Sequence, residues 1–221
     1  MLPSHIKITR VALAAAGRFG FALAGGYAVS AHGMGSRLSR DVDLFTAWHL
    51  RASFPEAVDN VIVALEEHQH AVTILIRNDT FARLLVADRN DPDGEPDKLE
   101  MSADWRAHEP VMSAVGPVLH PDDAVANKMC ALFGRAEARD YLDVDAALLS
   151  GRYTRQRLLE LAAAADPGFE PRAFADALGA LTQITDADFD CYGIPAAELP
   201  ALRERFAHWR RELIDAPRQS G

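Results

Sequence analysis

The chain has 221 residues, 49% hydrophobic and 25% charged, the balance of an ordinary soluble globular protein long enough to bury a real core in one large or two small domains. A formal net charge of -9 excludes a protein held on nucleic acid mainly by a basic surface, though not an enzyme that touches nucleic acid along one local patch. The early apolar run Val11 to Ala16 is too short to span a membrane. MLPSHIKITR lacks the basic-then-apolar order of a signal peptide, and Cys130 and Cys191 form neither a disulfide framework nor a metal-ligand spacing. A cytoplasmic location is expected.

Residues 4–17 read as a helix with Ser4 as N-cap and Gly17 as stop. FGFALAGG, residues 19–26, reads as a short buried strand ending in two glycines, and YAVSAHG as a helix of about two turns. A strand is expected over 41–47 and a helix over 54–70, with Val58, Ile62 and Leu65 on one face. Strands are expected over 71–77, 81–88 and 98–105. The turn signal DPDGEPD separates the last two and predicts a hairpin or meander. The stretch to about Pro117 reads as irregular. From Ala124 to Arg211 the pattern is helical throughout, punctuated by Gly, Pro and cap residues, and APRQSG at the end is expected to fray. The expected architecture is an α/β (α+β) mixed-sheet core over 1–120 followed by an α-helical half over 121–221.

Asp is a poor strand former, yet Ser39-Arg40-Asp41-Val42-Asp43 sets two at the head of an apolar run. In a strand, Ser39, Asp41 and Asp43 share one face, while Val42 and Leu44 point into the core. Two adjacent carboxylates repel, and a divalent ion offsets that best. Mg²⁺ takes one or two carboxylates, waters and substrate phosphates. Two ions about 3.5–4 Å apart would give the arrangement of in-line phosphoryl transfer. A solvated strand end with Arg37 or Arg40 pairing the acids suits the same spacing. Upstream, Gly25-Gly26 follows the strand and opens a helix, a turn that lets backbone N–H groups approach a phosphate closely.

The ordered set LAGGYAVSAHGMGSRLSRDVDLF and HPDDAVANKMCALFGRAEARDYLDVDAALL resembles the nucleotidyltransferase superfamily with a DNA-polymerase-β-like fold. More narrowly it resembles the AbiEii-type toxins of toxin–antitoxin systems, including the mycobacterial MenT group. The resemblance covers residues 20 to 150. It implies that Asp41 and Asp43 bind metal, that Ser39 and Arg40 contact substrate, and that Gly25 and Gly26 cradle a nucleoside triphosphate (NTP). It also implies that Lys128 reaches the triphosphate and that Asp140 closes the site. The implied reaction moves a nucleoside monophosphate from an NTP to an acceptor, in the MenT group the 3′ end of tRNA. A cognate antitoxin is the implied partner.

Read from the residues alone, Lys128 is one of three lysines among the 23 basic residues. Such scarcity suggests a need for a compact ammonium, although a mid-helix lysine normally faces solvent. Asp140 and Asp143, three apart on a helix, equally suit a surface on which Arg135 and Arg139 pair the acids. Glu100 shares a strand face with Lys98 and Ser102 and is the candidate third carboxylate, as metal ligand or general base, with Asp97 and Asp104 as rivals. An exposed face on which Lys98 and Glu100 lie near each other is the plainer reading. Two other functions remain open: nucleotidyl transfer to an aminoglycoside-like small molecule or a protein hydroxyl, and a non-catalytic nucleotide-binding domain.

Overall fold

A computed structural model describes residues 1–216; of the expected frayed end, 217–221 lie outside the described residues. The chain clusters into two compact units. The first holds Met1–His32 and Ser39–Ala124, and the second holds Gly33–Leu38 with the residues from Val125 onward.

The first unit is built on a mixed seven-stranded sheet. Its strands are β1 (Ala22–Leu23), β2 (Asp41–Ala47), β3 (His70–Arg77), β4 (Phe81–Asp88), β5 (Asp97–Asp104), β6 (Val111–Ser113) and β7 (Gly116–Val118), in the order β3-β4-β5-β2-β1-β7-β6. β2 runs parallel to β5, and β1 parallel to β7; the other neighbours are antiparallel. Helices α1 (Pro3–Ala16) and α3 (Phe54–Glu67) pack on each other. Their buried residues Ile8, Leu13, Val58, Val61 and Leu65 join Val42, Leu44, Leu84, Leu99 and Met101 in one core. Alternation therefore sends Val42 and Leu44 inward, at 0% exposure, and leaves their odd-numbered neighbours to the other face.

Several boundaries differ from expectation; α1 starts at Pro3 after Leu2, so Ser4 lies within the helix and does not cap it. Of 19–26 only Ala22–Leu23 pairs as a strand, because Gly17–Phe19 closes a 3₁₀ turn and Gly20 turns the chain at φ +74°. Gly25 and Gly26 are then the first residues of α2 (Gly25–Ala31), with Gly25 itself at φ +59°. The expected helix to His70 ends at Glu67, where Gln69 at φ +64° reverses the chain and His70 pairs with Asp88. The stretch before Pro117 is not irregular throughout: β6 and β7 form a tight hairpin, with Gly116 at φ +127°. Three-residue strands are too short to show alternation, so the pattern could not reveal them.

The second unit is helical: α4 (Pro121–Gly134, entering from the first unit), α5 (Ala138–Leu149), α6 (Arg155–Ala165), α7 (Pro171–Ala180), α8 (Ala187–Asp190) and α9 (Leu199–Asp215). Thr154 caps α6 by accepting from the Arg157 amide, and Glu170 caps α7 from Ala173. The core is aromatic. Phe174 meets Trp209 edge-on at 5.3 Å between centroids, and Tyr141 meets Phe206 at 5.2 Å. Gly33–Leu38 joins this unit through Gly35 against Ala146 and a Leu38 amide bond to the Tyr192 carbonyl. Among the described residues, no helix is long and apolar enough to cross a membrane.

Candidate active site

The parallel pairing of β2 with β5 sets Asp41 opposite Lys98 and Asp43 opposite Glu100. The antiparallel pairing of β5 with β4 then sets Glu100 opposite Arg83. Directly opposite residues share a face, so a ladder of charge crosses three strands. Lys98 Nζ lies 3.0 Å from Asp41 Oδ2 and 3.7 Å from Glu100 Oε1, and Arg83 Nε donates to Glu100 Oε1 at 2.8 Å. Asp41 is 3% exposed.

Gly25 explains the glycine pair. A Cβ there would fall 1.8 Å from Asp43 Oδ2, so any side chain would strike the carboxylate. The Ala24 amide also donates to the Asp43 carbonyl at 2.8 Å, tying the turn to β2. At seven residues α2 is too short for a strong macrodipole, and close backbone approach to Asp43 is what Gly25 supplies.

Ser39 lies just before β2, not within it, and is buried, donating to the Asp41 carbonyl at 3.2 Å. A buried chain of polar contacts holds this corner. His5 meets the Tyr27 hydroxyl at Nδ1 (2.6 Å) and Asp97 at Nε2 (2.8 Å), and Tyr27 donates to the Ser39 carbonyl at 3.2 Å. Thus α1 reaches the heads of both β2 and β5. Arg40 is exposed and makes no ion pair among the described residues.

In the helical unit Lys128 is buried, not solvent-facing, and its Nζ lies 2.8 Å from Asp143 Oδ2. Arg37 binds the same carboxylate with both Nε and Nη2, each at 2.6 Å. Burial works to raise the Asp143 carboxyl, but the Lys128 and Arg37 charges outweigh it and hold it below the usual range. Asp140 does not meet Lys128. It is fully buried, takes two 2.9 Å bonds from Arg135, and accepts from the Glu137 amide in the capping box that starts α5.

Asp41, Asp43 and Glu100 therefore gather on the sheet with Gly25 of α2 against Asp43, and Lys98 is a member of the group that the sequence did not single out. On the helices the acid that meets Lys128 is Asp143, with Arg37 as an unforeseen third member. The spacing of Lys98 and Glu100 on one face signalled the first; no signal in the sequence pairs Arg37 with a residue 106 positions away.

Residues 11–183 match the family described as nucleotidyl transferase AbiEii toxin, type IV toxin–antitoxin system. The fold is similar to that of the MenT4 nucleotidyltransferase toxin of Mycobacterium tuberculosis (TM-score 0.61, 16% identity, covering 97% of this chain and 84% of that one). It is similar to JHP933 of Helicobacter pylori (0.55, 19%, 95% and 87%). It also resembles the antibiotic-resistance factor ANT(2″)-Ia (0.51, 17%, 74% and 92%). No curated protein matches the sequence.

Proposed function

We propose, for a chain that belongs to the AbiEii nucleotidyltransferase toxin family, that it moves a nucleoside monophosphate from an NTP to the 3′ end of tRNA and acts as the toxin of a pair whose antitoxin is its cognate partner. The observation that carries the chemistry is Asp41 and Asp43 on one strand face with the Gly25 backbone pressed against Asp43. An all-oxygen pair of carboxylates fits Mg²⁺. Asp41 and Asp43 would hold it, as one ion or two, and when bound it supplies charge neutralisation at the transferred phosphoryl group.

The remaining roles belong to the chain itself. Gly25 and Gly26 would offer backbone N–H groups to a triphosphate at the turn that opens α2, beside Asp43, and Ser39 and Arg40 stand at the head of β2 to contact it. Lys128, paired with Asp143, is a compact cation suited to the phosphates. Glu100 is the carboxylate beside Asp43 and the candidate to receive the acceptor hydroxyl's proton. Its bonds to Arg83 and Lys98 favour a second role, orienting Lys98 on Asp41. Asp140 supports α5, the helix that presents Asp143.

The test incubates the protein with total tRNA, Mg²⁺ and each labelled NTP in turn, beside Asp41→Ala. Label entering tRNA, and lost in the variant, establishes the reaction and the base. Label entering an aminoglycoside or a protein instead would retain the chemistry and replace the acceptor. NTP binding without transfer to any of them would leave a binding domain.

A further inference from the structure

A second group of metal-ligating side chains lies within the sheet unit, apart in sequence from the carboxylate pair. His108 follows β5, and His120-Pro121-Asp122 leads into α4. One ligand atom from each of His108, His120 and Asp122 lies within 4.8 Å of the others. Bonds of about 2.0–2.2 Å to one ion place ligand atoms roughly 3–4 Å apart, so closing the site turns one imidazole out of its stack on the other to bring both in-plane lone pairs to the ion.

The surroundings are those of a held ligand. His108 is gripped by Asp123, which is fully buried. The ring Nδ1 lies 2.9 Å from Asp123 Oδ1, and the His108 amide donates to Oδ2 at 2.9 Å. A carboxylate on Nδ1 fixes the tautomer that leaves Nε2 with its lone pair, the arrangement that orients metal-bound histidines. The His108 and His120 rings stack at 4.3 Å with 21° between planes. His120 Nδ1 accepts a 3.2 Å bond from the Asp122 amide, which a metal bond at that nitrogen could replace. His108 is 43% exposed and lines a cavity with Gly20, His49, Leu50, Arg106 and Glu109, so this ligand is open to solvent.

We propose that His108, His120 and Asp122 form a binding site for a borderline divalent cation of the Zn²⁺ class, with Asp123 orienting His108. Two imidazoles and one carboxylate disfavour Mg²⁺, which prefers oxygen, and so set this site apart from Asp41 and Asp43. The bound ion ties the loop after β5 to the first turn of α4.

The experiment titrates Zn²⁺, and Co²⁺ for its visible spectrum, into untagged, chelator-treated full-length protein in excess Mg²⁺. The expected result is one equivalent bound by wild type and by an Asp41→Asn/Asp43→Asn variant, with a rise in Tm in both. Binding is lost in His120→Ala and in His108→Ala, and weakens about 10–100-fold in Asp123→Asn. Circular dichroism verifies folding, and Asp122→Asn replaces any variant that fails it. Absence of binding by wild type overturns the proposal, as does undiminished binding in either folded histidine variant or binding that vanishes only in Asp41→Asn/Asp43→Asn.

Discussion

Lys98 sits in register with Asp41 across two parallel strands and places its ammonium 3.0 Å from that carboxylate. A cation therefore already stands on a proposed metal ligand, offsetting part of the repulsion between Asp41 and Asp43. Lys98→Met removes it from an aspartate that is 3% exposed, and the expected cost in metal-free buffer is about 1–3 kcal/mol. Mg²⁺ should restore more of the Tm in the variant than it adds to wild type. Melting curves with and without Mg²⁺ check this, and equal Mg²⁺ shifts would show that Lys98 does not compete with metal.

Gly25 is the position least open to change. Ala there meets Asp43 Oδ2 at 1.8 Å while forced to φ +59°. Either Asp43 or the turn must move by an ångström or more, and transfer activity should fall about 100-fold or more. Steady-state kinetics on folded Gly25→Ala decide the point; near-normal kcat would mean that Asp43 can move without loss.

Asp143 and Asp140 should separate by stability. Asp143→Asn leaves Lys128 and Arg37 buried without their shared anion, at an expected cost of about 3–5 kcal/mol. Asp140→Asn weakens a helix cap and the Arg135 pair, at about 1–2 kcal/mol. Urea unfolding of both variants measures the order, and the reverse order would contradict the pairing.

Acid should expose the same carboxylate. The folded Asp143 carboxyl is held below its ordinary value of 3.8, so its stabilisation is complete above that value. As pH falls through and below it, the unfolded chain binds the proton first, and the contribution drains away until Asp143 itself is protonated. Tm against pH from 6 to 2 should therefore fall less steeply at the acid end in Asp143→Asn than in wild type.

Alternation and punctuation carried much of the fold. Val42 and Leu44 had to face inward once 41–47 was a strand, and DPDGEPD had to turn the chain between antiparallel strands β4 and β5. The catalytic candidates on β2 were legible for the same reason: two aspartates sharing the outward face of an apolar strand need a compensating charge. Short elements escaped because two or three residues carry no period, as with Ala22–Leu23 and the β6–β7 hairpin.

By itself the sequence determined the family, the mixed sheet followed by helices, and the faces on which Asp41, Asp43, Lys98 and Glu100 lie, since period and motif order are local properties. Which charges meet was decided only by the tertiary structure. Strand order and register put Lys98 on Asp41 and Arg83 on Glu100. The placement of Gly33–Leu38 among the helices delivered Arg37 to Asp143, and the α5 cap claimed Asp140. Pairing across many residues depends on how separate elements are laid side by side, and no spacing along a single chain encodes it.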